Sequence, residues 1–331
     1  MIMDRRLFRI LFAAVAALAV SGCVNEEHDR HDPVVALAFD PVMQVHVRSS
    51  EASETDADAL SVGVCAWKLV EGQAWSADRG VAEVFLPASR LVHDGHFWHT
   101  QPHVDWPSAG NTLTCIGFAP FGAVAVCDQT RGVVFEGVDA TTDPGDLRYT
   151  EPQADRVKLH NGGVVNLPLL PALCQVEFRV RSKGETETTF FVRRIVLDAI
   201  NCRGSFQSLP SPAWELSGDP GALPLFEGEF QLTDVPQSIV AARRVIPQPL
   251  HSTLTVDYEY LTPTGSRIQQ SETVGPLEKM LYPGYSYTFT LAVGHDGVEV
   301  LPENPAVRTY EQRTTIRYQV SEISAFYPDC W

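Results

Sequence analysis

The sequence predicts an all-β protein, and two observations support that prediction. First, the segment from Val35 to Arg48 has apolar side chains at every second position, which is the period of a β-strand and not of a helix. Second, short apolar runs recur through the rest of the chain, separated by glycine, proline, asparagine and aspartate, without long helical periodicity. Many short strands with such turns are typical of an antiparallel β-sandwich or barrel.

The amino-terminal 22 residues have the features of a secretory signal. Three arginines precede an apolar run from Leu11 to Val20, which is too short to span a bilayer as a helix of about 20 residues. The following Val20-Ser21-Gly22-Cys23 resembles a bacterial lipobox, in which Cys23 becomes the lipidated (palmitate-carrying) first residue of the mature chain. The alternative is an ordinary signal peptide followed by a chance cysteine.

Residues 23–33 are polar and acidic and end in a proline, so we expect a solvated tether. Acidic residues directly after a lipidated cysteine also resemble the signal that sends lipoproteins to the outer face of the outer membrane. A plain solvated linker explains the same residues without export.

The composition excludes some partners. The chain of 331 residues has 25 Lys+Arg against 41 Asp+Glu and a formal net charge of −16. Removal of the signal takes away three arginines and Asp4, which makes the mature chain more acidic still. Nucleic-acid binding needs clustered basic residues, so we expect no nucleic-acid partner. Charge would not attract the chain to anionic lipid either, so the lipid on Cys23 would have to attach it to the membrane.

Beyond Cys23, six cysteines remain, an even number that permits disulfides in an exported chain without fixing their pairing. Their irregular spacing and the lack of a CxxC pair argue against zinc. Some of them lie within apolar strands, so we expect most to be free and to pack as small hydrophobic side chains. The six are Cys65, Cys115, Cys127, Cys174, Cys202 and Cys330, of which Cys65, Cys115 and Cys174 are the strand residues.

Four histidines, His93, His96, His99 and His103, lie close together in sequence, and Asp94 and Asp105 are near them. His93 and His99 share strand parity, but the spacing matches no standard metal motif, so we expect neither a metal nor a cofactor. The motifs GxSxG, HExxH and the P-loop are missing from the sequence, which therefore predicts no enzyme.

The first predicted strand, Val35 to Val47, has two special positions. Pro41 cannot donate to a ladder, so it indicates an edge strand, a bulge or a break. Arg48 follows the strand and precedes the small, polar and acidic stretch from Ser49 to Asp58. Such a loop would expose the Arg48–Ser49 bond to a protease.

A polar connection from Asp146 to about Gly163 indicates a domain boundary, with domains at residues 34–162 and 163–331. After it, Val164 to Val180 gives the clearest strand signal of the second half, with a change of phase near Cys174.

Five elements occur in order along the chain: Trp106-Pro107 ahead of the strand Leu113–Phe121, Asp146-Leu-Arg-Tyr-Thr150, the alternating strand Leu167–Phe178, Val245-Ile-Pro-Gln248, and Tyr282-Pro-Gly284 before the strand Tyr285–Leu291. Together they resemble the fimbrillin family, the lipoprotein pilins of type V pili, and especially its Mfa-like branch. Three positions depart from the family pattern: Pro171 replaces histidine, Cys174 replaces alanine and Tyr282 replaces tryptophan.

The resemblance implies two antiparallel β-sandwich domains in tandem, of transthyretin-like, Greek-key type, and a lipidated precursor at the outer membrane and cell surface. In polymerising family members an arginine-specific protease removes the first strand, and the carboxy-terminal strand of the next subunit fills the groove. Here the resemblance makes Val35–Val47 the removable strand, Arg48–Ser49 the cleavage site and Thr314–Tyr327 the donor strand. Its partners would be other pilus subunits.

The leading hypothesis is therefore a structural or accessory pilus subunit that supports cell adhesion. The alternative is a monomeric surface lipoprotein that binds glycan or a host ligand through exposed aromatics such as Trp98 and Trp106. It also remains open whether Arg48 is only an exposed residue at a strand end, and whether the last strand pairs within its own domain.

Overall fold

The structure is a computed structural model, and it describes residues 34–43, 61–123, 126–158, 160–185, 187–301 and 308–309. By its internal contacts the chain divides into residues 1–34 and residues 35–331, and the fold below is that of the second unit. Within the described ranges, no helix is long and apolar enough to cross a membrane.

The described residues form strands joined by short turns and a single-turn helix, α1 (Trp75–Asp78), which confirms the predicted all-β class. The strands are β1 (Ala38–Met43), β2 (Gly63–Leu69), β3 (Glu83–His93), β4 (Trp98–Thr100), β5 (Thr112–Ala119), β6 (Val126–Asp128), β7 (Gly132–Asp139), β8 (Arg148–Tyr149), β9 (Gln153–Arg156), β10 (Val164–Pro171), β11 (Cys174–Ser182), β12 (Thr189–Ile200), β13 (Arg203–Gln207), β14 (Ala213–Ser217), β15 (Gly221–Gln231), β16 (Gln237–Val245), β17 (Pro249–Leu261), β18 (Arg267–Met280), β19 (Tyr285–Gly294), β20 (Gly297–Val300) and β21 (Arg308–Thr309).

The first sheet has eight strands in the order β2-β3-β4-β1-β10-β8-β5-β9. A further pairing between β2 and β5 closes seven of these strands into a barrel-like ring. Because side chains alternate along a strand, β5 contributes to two hydrophobic clusters. Leu113 and Cys115 belong to one cluster with β1 and β10, and Ile116 and Phe118 to another with β7 and β13.

Strand β10 belongs to this first sheet, where it pairs in parallel with β1. The periodicity of β10 is local and does not reveal the partner of the strand, so the sequence predicts it at the start of the carboxy-terminal domain. The boundary between residues 162 and 163 stays a prediction, but backbone pairing crosses it.

A four-stranded sheet, β14-β13-β7-β6, also pairs strands from before and after that boundary. A disulfide between Cys65 on β2 and Cys127 on β6 joins this sheet to the first one, with 6.7 Å between the Cα atoms. Cys65 and Cys127 are thus exceptions to the expectation that most of the cysteines are free, because apolar surroundings suit a disulfide as well as a thiol. Cys115 and Cys174 are free and buried, as expected, and Cys202 is free and half-buried.

The remaining strands form two sheets, β16-β11-β19-β20 with β21 on β19, and β15-β12-β17-β18. One hydrophobic cluster is built from residues of both sheets, so this part of the chain is a β-sandwich. Strand β10 ends at Pro171 and strand β11 begins at Cys174, so Ala172 and Leu173 interrupt the strand. This interruption lies next to the predicted change of phase near Cys174.

Replacing Cys65 and Cys127 together by alanine should lower the free energy of unfolding. The disulfide closes a loop of 62 residues, and the chain-entropy estimate for such a loop is roughly 4 kcal/mol. Urea denaturation measures the loss, with Cys202→Ala, the half-buried free thiol, as the matched control. A double variant as stable as this control would contradict the structural role of the disulfide.

Candidate functional site: the first strand and its groove

Strand β1 lies between two neighbours that hold it very differently. Six consecutive residue pairs, from Ala38↔Val164 to Met43↔Leu169, join it in parallel to β10. The pairing described with β4 is a single antiparallel pair, Phe39↔Trp98. Pro41 lies within the strand, opposite Leu167, and does not break it there. The predicted strand is thus confirmed over Ala38–Met43, with one isolated bridge before it at Ala36, while residues 44–47 lie outside the described ranges.

The residues before β1 are fixed by backbone hydrogen bonds to the segment that follows β4. Ala36 forms a β-bridge with Asp105, and the Leu37 amide donates to the Val104 carbonyl at 3.0 Å. The Trp106 amide donates to the Val35 carbonyl at 2.9 Å. The segment around Trp106 therefore supports the entry of β1.

The Trp106 side chain also links this segment to the start of β10. Its indole Nε1–H donates to the Gly163 carbonyl at 2.8 Å, in a buried position. Gly163 has φ of +83°, and a Cβ atom there would lie 2.9 Å from Val35 Cγ1, so only glycine fits. This contact joins residues far apart in sequence, and the Gly162-Gly163 doublet is its one local signal. Trp106 is 6% exposed, so its predicted role as an exposed aromatic is wrong.

Apolar burial supplies the remaining hold on β1. Leu37 and Phe39 are 2% and 0% exposed and lie in one cluster with Val165, Leu167 and Leu169 of β10. Full burial of such side chains contributes about 1.5–3 kcal/mol each. Removal of β1 would therefore expose an apolar groove along β10.

Asp40 is the charged residue within β1, opposite Asn166, and it is half-buried. Burial raises the pKa of this carboxyl above its ordinary value because it penalises the charged form. At neutral pH this side chain therefore weakens the docking of β1.

The four histidines lie in or next to the hairpin of β3 and β4, with His93 at the end of β3 and His99 within β4. His93 packs against Trp98 with ring centroids 5.3 Å apart, and His99 stacks on His103 at 3.9 Å. His99 Nδ1 lies 3.5 Å from the Asp94 carboxylate. No group of three potential ligands able to hold a metal occurs among the residues that the structure describes.

The predicted lipidation site Cys23, the cleavage pair Arg48 and Ser49, and the donor strand Thr314–Tyr327 all lie outside the described residues. They stay predictions.

The other elements that carried the resemblance form hydrogen bonds between neighbouring parts of the fold. Thr150 Oγ1 accepts from the Gly117 amide at 2.8 Å, and the Gly284 amide donates to the Leu173 carbonyl at 2.8 Å. The Gln248 side chain accepts from the Asn201 amide at 3.0 Å and donates to the Asn201 carbonyl at 2.8 Å. These residues therefore position strands.

Replacing Trp106 by phenylalanine should loosen β1. The change removes the indole donor and leaves the buried Gly163 carbonyl without it, at a cost of about 1–3 kcal/mol. Hydrogen exchange at the Leu37 amide should accelerate by more than the loss of global stability of the variant accounts for.

The matched control is Trp214→Phe, because the Trp214 indole also donates to a carbonyl, that of Ala172, at 2.8 Å. This control should lower stability without a selective effect on Leu37. Equal exchange at Leu37 in the two variants would refute the specific link from Trp106 to β1.

Replacing Asp40 by asparagine should stabilise the chain in a pH-dependent way. Because the folded-state pKa of Asp40 is raised, its contribution to folding stability is fully present below the unfolded-state pKa of about 4. This contribution is lost as the pH rises through the folded-state pKa and the carboxyl becomes charged. The stability gain of Asp40→Asn should therefore be smallest at low pH and grow towards neutrality, as thermal unfolding from pH 3.5 to 7 would measure. Asp219→Asn, at an exposed position, is the control; a gain for Asp40→Asn independent of pH would oppose this account.

Comparisons with known proteins show the fold. No family model and no curated protein matches the chain. A fimbrial protein from Bacteroides vulgatus ATCC 8482 matches at a TM-score of 0.61 and 15% identity, over 83% of this chain and 99% of that one. A candidate cell adhesion protein from Bacteroides uniformis ATCC 8492 matches at a TM-score of 0.50 and 13% identity, over 81% and 96%.

A further match, the tip fimbrial protein Mfa3 from Porphyromonas gingivalis, has a TM-score of 0.39, which is too low to carry an argument. The likeness of the first two covers most of both chains, so it concerns the whole fold and not a single sheet. The resemblance to fimbrillins seen in the sequence motifs is matched in three dimensions: this chain has a fimbrillin-like fold.

Proposed function

We propose that this chain is a fimbrillin-like subunit of a cell-surface pilus that supports adhesion and assembles by strand exchange after cleavage at Arg48. The observation that carries the proposal is the position of β1. It is the first strand described, and the chain continues from it to β2 only through residues 44–62, which include Arg48. Cleavage after Arg48 would leave β1 attached to the sheet by non-covalent contacts alone.

The groove that β1 occupies suits a replacement strand. Loss of β1 would free the edge of β10 and uncover Val165, Leu167 and Leu169, which pack against β1. An incoming strand would regain the backbone ladder and would need apolar side chains at alternate positions. The segment Thr314–Tyr327 has this pattern at Ile316, Tyr318 and Val320.

A strand donated by one copy to the next makes a head-to-tail contact, which generates a filament because it does not close. The lipid predicted on Cys23 would hold the uncleaved precursor at the outer membrane, and cleavage by an arginine-specific protease would release it. The fimbrial protein from Bacteroides vulgatus, which shares the fold, supports this class of function.

The structure weakens the alternative of a monomeric ligand-binding lipoprotein. Trp106 is buried, and Trp98 is half-buried opposite Phe39 of β1. Trp106 therefore offers no open face to a sugar, and Trp98 packs in part against the apolar cluster that contains Phe39.

Incubation with an arginine-specific protease should convert the wild-type chain to one that begins at Ser49, and this product should form oligomers that resist SDS. Arg48→Ala should abolish both the new terminus and the oligomers. Arg90→Ala is the matched control, because Arg90 is exposed but lies within β3 opposite Gly63. Terminal sequencing and unheated gel electrophoresis give the two readouts.

Deletion of residues 314–331 separates cleavage from assembly. The truncated chain should still be cut after Arg48 but should remain monomeric. Oligomers formed as well by the truncated chain would exclude the donor role, and monomers formed by the cleaved wild-type chain would exclude strand exchange.

A further inference from the structure

Strands β11 and β19 of the sandwich form a parallel pair. Eight consecutive residue pairs join them, from Gln175↔Ser286 to Ser182↔Val293. All other strand pairs described within the two sheets of the sandwich are antiparallel. The pair lies inside its sheet. Strand β16 pairs with the other edge of β11, and strands β20 and β21 pair with the other edge of β19.

The order of the chain determines how tension would reach this pair. Strand β11 follows β10 of the ring after only two residues, Ala172 and Leu173, so a pull from the ring acts on the start of β11. Strand β19 leads into β20 and towards the carboxy terminus, so a pull on the chain end acts on the far end of β19. Because the strands are parallel, these two points lie at opposite ends of the pair.

Tension applied in this way loads the pair in shear. In shear all ladder hydrogen bonds between the two strands bear the force together, whereas a pull on adjacent ends opens them one after another. Ladder bonds are individually modest, about 0.5–1.5 kcal/mol net, so simultaneous loading is what makes a strand pair resist force.

Side chains on both faces of the sheet oppose sliding of the pair. On the core face Phe178 and Phe289 stack with ring centroids 5.3 Å apart, and both belong to the sandwich core. On the opposite face the buried Glu177 carboxylate of β11 accepts from Thr288 Oγ1 of β19 at 3.5 Å. A shift of one strand along the other by one residue would break both the aromatic stacking and this hydrogen bond.

The last described strands would yield before this pair. Strands β20 and β21 run antiparallel to β19, and Thr309 lies opposite Tyr285 at its start. A pull on the carboxy-terminal end therefore peels β21 and then β20 from β19 pair by pair. Only afterwards does the force reach the far end of β19.

We propose that the parallel pair β11–β19 is the force-bearing element of this chain, a shear clamp that resists tension between the ring and the carboxy-terminal end. The proposal rests on the proposed function only for the source of tension, which a pilus under load would supply. The clamp is a property of the isolated subunit, so a test on single molecules can fail independently of cleavage or polymerisation.

Single-molecule pulling on the full chain tests the clamp by geometry alone. In one arrangement the handles are at residues 34 and 296, which loads the start of β11 and the end of β19 in shear. In the other they are at residues 183 and 296, next to the adjacent ends of the same two strands. Lys183 Nζ pairs with Asp296 Oδ1 at 2.6 Å, and a handle at either residue removes this ion pair. The protein with handles at 34 and 296 therefore also carries Lys183→Ala, so that both proteins lack the Lys183 side chain.

The sandwich is recognised by the length released, from residues 174–296 with handles at 34 and 296 and from residues 183–296 with handles at 183 and 296. It should yield at a several-fold higher force in the first arrangement than in the second. A handle at residue 309 in place of 296 should add a small extension at low force before the clamp yields. Equal forces in the two main geometries, or a lower force in the first, would overturn the proposal. Thermal unfolding of each labelled protein verifies that both are folded alike.

Discussion

The parallel ladder between β1 and β10 is the contact on which the first half of the fold depends. It joins two segments that are far apart in sequence, and it completes the ring between β4 and β10. Without β1 the ring would present an unpaired edge on β10 and an uncovered apolar row, which is the arrangement that invites another strand. The same ladder therefore explains the closure of the ring and supports the proposal that another strand replaces β1.

The hold on β1 is uneven, and this matters for exchange. Six residue pairs and two fully buried side chains favour docking on the β10 side, while one residue pair is described on the β4 side. The desolvated carboxyl of Asp40 opposes docking at neutral pH. A strand with an apolar residue in place of Asp40 could therefore displace β1. It would form the same backbone hydrogen bonds with β10 without the cost of desolvating a carboxylate.

Local periodicity was sufficient to predict some elements and insufficient for others. The alternation in β1 and the break near Cys174 are local, so the sequence revealed them. Strand β18 escaped prediction because most of its side chains are exposed and it shows no apolar alternation. The pairing of β10 with β1, the disulfide between Cys65 and Cys127, and the burial of Trp106 against Gly163 depend on residues far away in sequence. Only the Gly162-Gly163 doublet gave a local signal for any of these long-range contacts.

The two parallel pairs, β1–β10 and β11–β19, meet at the short link through Ala172 and Leu173. This arrangement gives the direction of an exchanged strand a mechanical consequence. A donor that enters parallel to β10, as β1 does, and is pulled back from its start, would be loaded in shear against β10. Tension would then pass through the link into β11 and be resisted by a second pair loaded in the same way. The start of an antiparallel donor would instead lie beside the end of β10 that is joined to the link. The two forces would then act on adjacent ends of the two strands, so the ladder would open pair by pair. The strand direction in the groove thus decides whether the joint between subunits is as resistant to force as the subunit itself.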